Sequence, residues 1–120
     1  MNLRLPASGL LLESLLGGLG TPGIEPGNTT VRHPTPDQLS AAIEAMARGH
    51  MEYVILEEGG QFLQAAGDGN GPYALQYFAG AGEPMIEVPG GVDAETVRTV
   101  LAAYLRGEPA WRGALAWQPV

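Results

Sequence analysis

Chemistry in this chain would have to come from carboxylates, two histidines and a few hydroxyls, because its 120 residues include no cysteine. That excludes a thiol nucleophile, a CxxC redox pair, a thiolate metal site and a disulfide framework. His33 and His50 are the only imidazoles, and neither stands in an HxH, HxxxH or HExxH spacing that would bring two of them onto one metal. His50 follows Gly49 at the end of a helical pattern, where a partial positive charge offsets the helix C-terminus. Ser8, Ser14 and Ser40 lie on or beside helical segments, without a GxSxG turn to expose a nucleophile. Glu57 and Glu58 are adjacent on a strand pattern, so they point to opposite faces and do not flank one scissile bond. The loop Gly67-Asp68-Gly69-Asn70-Gly71 has no lysine and leads into a strand, which suits a plain hairpin loop rather than a phosphate loop or an EF-hand. These residues predict no catalytic, cofactor-binding or metal-ligating set. Carboxylates from different strands could still meet in a cleft, which keeps a small-molecule enzyme as a third reading.

What remains is the distribution of acid. Thirteen Asp and Glu oppose six arginines and no lysine, for a net charge of -7, which disfavours phosphate backbones and anionic membranes as partners. Glu52, Glu57, Glu58, Asp68, Glu83 and Glu87 all fall between Met51 and Val88, a stretch with no basic residue. One reading is a solvated sheet surface, guarded against edge pairing by charge. The other is an acidic patch for a basic protein, with steering by charge and affinity from a few aromatics. On the second reading Glu57, Glu58 and Asp68 are the primary partner-binding residues and Glu52 and Glu83 secondary. Tyr53, Tyr73 and Tyr77 could supply the aromatic contacts or pack in the core.

The length, 12.5 kDa with 45% hydrophobic and 16% charged residues, fits a single globular domain over 1–120. Leu12, Leu15, Leu16 and Leu19 recur at helical spacing, so residues 1–20 read as a leucine-rich amphipathic helix ended by glycine. Glu13 interrupts the apolar run, and no stretch approaches the roughly 18 apolar residues of a membrane span. Residues 21–34 read as a loop with a short strand at Thr29 to Arg32.

The core pattern occupies 35–120. Thr35 as N-cap, Pro36 in the first turn and Gln38 three residues on predict a helix from Pro36 to Arg48, stopped by Gly49. From Met51 the period changes to two. Met51 to Glu57, Gln61 to Ala66, Tyr73 to Phe78 and Met85 to Val88, separated by glycine turns, predict a four-stranded meander. A helix from Ala94 to Arg106, capped by Asp93, follows. Trp111 to Gln118 then reads as a last strand with Trp111, Leu115 and Trp117 on one side. The expected architecture is α+β: an antiparallel sheet of four to six strands, meander plus C-terminal strand, with two or three helices packed mainly on one face.

The runs VRHPTPDQLSAAIEAM, YVILEEGGQFLQAAG, PYALQYF and VRTVLAAYLRGEPAWRGALAWQ, about residues 29 to 118, resemble a family of immunity proteins from bacterial polymorphic toxin systems. The resemblance implies a small cytoplasmic α+β inhibitor that neutralises a cognate toxin by stoichiometric binding, and it supplies no catalytic residues. An acidic inhibitor would suit a toxin with a basic, nucleic-acid-binding surface. The alternative reading is a structural or regulatory domain that forms a homodimer through Leu10 to Leu19.

Overall fold

The computed structural model describes residues 1–6, 23–25, 28–67, 69 and 71–120. Strands β1 (Asn2–Leu5), β2 (Gly23–Glu25), β3 (Asn28–Arg32), β4 (Tyr53–Glu58), β5 (Gln61–Ala66), β6 (Ala74–Phe78), β7 (Ile86–Glu87) and β8 (Gln118–Pro119) form one sheet in the order β2-β3-β1-β4-β5-β6-β7-β8. Every neighbouring pair is antiparallel. Helices α1 (Pro36–Ala47), α2 (Ala94–Leu105) and α3 (Ala110–Ala114) complete the described elements. The chain is thus an α+β fold with more strands than the sequence pattern suggested, and its central meander runs β4 to β7 as expected.

The two long helices begin and end by the same devices. At α1 the Gln38 N–H donates to Thr35 Oγ1 (3.1 Å) and the Thr35 N–H donates to Gln38 Oε1 (2.8 Å), a reciprocal capping box. At α2 the Thr96 N–H donates to Asp93 Oδ1 (2.8 Å). Each helix closes in a Schellman pair: Gly49 N–H to Met46 O and His50 N–H to Ala45 O, then Gly107 N–H to Tyr104 O and Glu108 N–H to Ala103 O. His50 therefore serves the helix end through its backbone N–H.

Strand alternation divides the sheet into two faces. Leu3, Leu5, Val54, Leu56, Leu63, Ala65, Leu75 and Tyr77 are buried on one of them. There they meet Leu39, Ala42, Ile43 and Met46 of α1 and Val97, Val100, Leu101 and Tyr104 of α2 in a continuous core. Helix α1 packs on β4, α2 on β5, and the two helices on each other. An ion-pair chain ties the helices from outside, with Arg98 Nη2 2.9 Å from Glu44 Oε2 and Arg48 Nε 3.1 Å from Glu44 Oε1.

Two expectations need correction. The chain start is not helical throughout, because Asn2–Leu5 is a strand in the interior of the sheet, paired with β3 on one side and β4 on the other. Leu3 and Leu5 are fully buried, while Asn2 and Arg4 alternate onto the opposite face. The leucine repeat at 10–19 lies outside the described residues. The segment from Trp111 to Gln118 is not one strand either: Ala110–Ala114 is a short helix, Leu115 is extended, and pairing resumes only at Gln118–Pro119. The tryptophans nevertheless meet, with Trp111 and Trp117 rings 5.6 Å apart and near perpendicular. A five-residue helix followed at once by extended chain folds the second indole back onto the first.

Candidate functional site: the acidic end of the sheet

Register decides which of the predicted acidic residues share a location. In β4 and β5, Glu57 is opposite Phe62 and Glu58 opposite Gln61, and Phe62 is in turn opposite Phe78 in β6. The two-residue connection Gly59-Gly60 has φ of +56° and +85°, the doubly positive pair that a tight hairpin matching the strand twist demands and that only glycine adopts cheaply. This turn holds Glu57 and Glu58 at one end of the sheet. Residues 79–85 leave β6 from Phe78 at that same end, and they carry Glu83.

Glu52 precedes β4 at the opposite end, about 20 Å from Glu58 at roughly 3.3 Å per strand residue. Asp68 lies outside the described residues. Three of the five predicted partner-binding residues, Glu57, Glu58 and Glu83, are therefore brought to one end and Glu52 is not. A cleft of about 370 Å³ opens here, lined by Asn2, Glu57, Glu58, Gln61 and Phe62 around the glycine turn.

The three carboxylates are not equivalent. Arg4 of β1 places Nη1 3.5 Å from Glu57 Oε2, with both side chains about one-third exposed (39% and 32%). Glu58 and Glu83 are exposed and have no ion-pair partner among the described residues. Strand alternation puts Glu57 on the face away from the helices and Glu58 on the helix side, as the adjacent positions required.

Beside Glu58 stands an aromatic cluster. Tyr77 lies 4.9 Å from Trp111 and 6.2 Å from Tyr104, ring centre to ring centre, all edge to face. Arg112 sits 5.0 Å over the Tyr77 ring, and the Tyr77 hydroxyl donates to Gln61 Oε1 at 3.3 Å. Burial, then the Tyr77 and Glu58 charges, push the Tyr104 hydroxyl up to about 12. That hydroxyl is buried with no hydrogen-bond partner among the described residues. The cluster makes a stiff backing for the acidic end.

The sequence reading missed Arg4 and Arg112. Arg4 is far from Glu57 in sequence and reaches it only because β1 inserts beside β4. The alternation Asn2-Leu3-Arg4-Leu5 carried the strand signal, which the following leucines obscured. Arg112 reaches Tyr77 because Ala110–Ala114 is helical rather than extended.

Chemically, the arrangement offers uncompensated carboxylates, amides and an aromatic edge around a shallow cleft, which suits the binding of cationic groups. No group of three or more His, Asp or Glu among the described residues is placed to hold a metal ion. No described helix is long and apolar enough to cross a membrane. No family model matches the chain, and no curated protein or solved structure is significantly similar to it.

Proposed function

We propose that this chain is an immunity protein, a small acidic binding domain that works in the bacterial cytoplasm and neutralises a cognate toxin by stoichiometric occlusion. The observation that carries the reading is the exposed, unpaired carboxylate of Glu58 lining the 370 Å³ cleft, with the exposed, unpaired Glu83 on the segment that leaves β6 at the same end of the sheet. Charge on a preorganised turn accelerates encounter with a basic surface, and a stiff base keeps the ordering cost of binding low. The partner this chemistry fits is a protein whose active surface is basic because it handles nucleic acid. The resemblance of residues 29 to 118 to polymorphic-toxin immunity proteins points the same way.

Of the acidic residues, Glu58 and Glu83 are the main contacts, with Glu57 secondary because Arg4 already compensates it. The test is co-expression with the product of the adjacent gene, scoring growth rescue and a co-purified complex. A neighbour that is toxic alone and silent in the complex supports the reading; a neighbour that is harmless alone sinks it.

A further inference from the structure

The sheet face away from the helices carries a second, differently charged surface. Register sets it out in rows: Arg32, Asn2, Glu57, Phe62 and Phe78 in one, and Thr30, Arg4, Ile55, Gln64, Gln76 and Glu87 in the next. Ile55, Phe62 and Phe78 are half-buried there and do not belong to the core under the helices. Among the described residues, the helices pack on the opposite face and no element covers this one.

The middle combines an aromatic pair with a hydrogen-bonded amide row. Phe62 and Phe78 lie 5.5 Å apart, and Gln64 Nε2 donates to Gln76 Oε1 (2.6 Å), whose Nε2 donates to Glu87 Oε2 (3.3 Å). Arg4 on β1 and Glu57 on β4 pair with each other on this face, which leaves opposite charges at its two flanks, Arg32 on β3 and Glu87 on β7. Arg32 is exposed and has no ion pair among the described residues.

We propose that this face is the interface of a twofold homodimer, in which two sheets stack face to face. A twofold axis parallel to the strands and between β4 and β5 exchanges β3 with β7 and β1 with β6, because three strands of this set lie on each side of it. Arg32 on β3 of one copy then lies over Glu87 on β7 of the second copy, twice by symmetry, with Ile55, Phe62 and Phe78 enclosed between. Self-association is favoured over a basic partner because the face is charge-balanced, and a basic surface would meet Arg4 and Arg32. Glu58 and Glu83 lie off this face, whereas Asn2, Glu57 and Phe62 belong both to it and to the cleft, so a second copy and a toxin compete for that edge, and the dimer is tested on the chain alone, without the immunity reading.

Within one chain Arg32 and Glu87 are five strand spacings apart, roughly 24 Å, and do not interact. A charge swap is therefore specific for contact between copies. Sedimentation of the wild-type chain from micromolar to near-millimolar concentration should give a reversible dimer, with circular dichroism recording the fold of each variant. Arg32→Glu and Glu87→Arg should each weaken it about tenfold, and the double variant should recover most of the loss. A chain that is monomeric throughout, or a dimer indifferent to all three variants, overturns the proposal. A monomer in which Arg32→Glu abolishes toxin neutralisation also overturns it, and assigns the face to that partner instead.

Discussion

Arg4 Nη1 lies 3.5 Å from Glu57 Oε2, joining two strands that are distant in sequence and adjacent in the sheet. The pair is partly exposed, so its net worth to folding is about 0 to 1 kcal/mol. Its larger effect is on the surface, because it removes one carboxylate from the free acidic set. Glu57→Gln should change unfolding free energy by less than about 1 kcal/mol in urea titration. It should also weaken partner binding less than Glu58→Gln does in parallel calorimetry.

Leu3 and Leu5 on the same strand are fully buried in the core. Leu3→Ala should cost about 2 to 5 kcal/mol, the range for emptying a close-packed leucine site. A chain beginning at residue 21 lacks β1 altogether and should lose cooperative thermal unfolding. A truncation made to remove the leucine repeat must therefore keep residues 1–6.

Thr35 caps α1 through both arms of a capping box, and Thr35→Ala should cost about 1 kcal/mol by chemical denaturation. Asp93 caps α2, and hydrogen bonds from Thr96 hold its carboxyl below the ordinary 3.8. Arg98, then Arg48, likewise hold Glu44 below 4.5. These depressed groups add stability above their unfolded values, and it is lost as pH falls through the folded ones. Thermal midpoints should drop below about pH 4, and Asp93→Asn should make that drop shallower.

Tyr104 titrates in the other direction. The unfolded chain ionises this phenol near 10 and the folded chain holds its proton to about 12, so stability should fall as pH rises between them. Tyr104→Phe should flatten that alkaline decline. At neutral pH it should leave stability unchanged or raise it by up to about 1 kcal/mol, because the buried hydroxyl it deletes has no partner.

Local signals in the sequence carried far along the chain. The capping box at Thr35, the Asp93 cap and the glycine turn after Glu58 are short-range devices, and the elements they bound stand within a few residues of the predicted limits. Two failures share a cause: a strong pattern hid a weaker neighbour. Ten leucines and glycines after Pro6 masked the four-residue strand before it, and alternating apolar residues around Trp111 imitated a strand where a single helical turn forms. The site was partly legible. Adjacency put Glu57 and Glu58 on opposite faces, but only the antiparallel register reveals that Glu83 joins them, that Glu52 lies at the far end, and that Arg4 compensates Glu57.

On the proposed function, binding energy and encounter rate come from the unpaired acids at one end of the sheet. The purified product of the adjacent gene is titrated with the wild-type chain, Glu58→Arg/Glu83→Arg and Glu52→Arg at two salt concentrations. The double variant should bind at least about tenfold more weakly at low salt, with the gap narrowing at high salt, while Glu52→Arg binds like wild type. Equal affinity for the double variant and wild type, or an equal loss from Glu52→Arg, would show that Glu58 and Glu83 do not carry the binding.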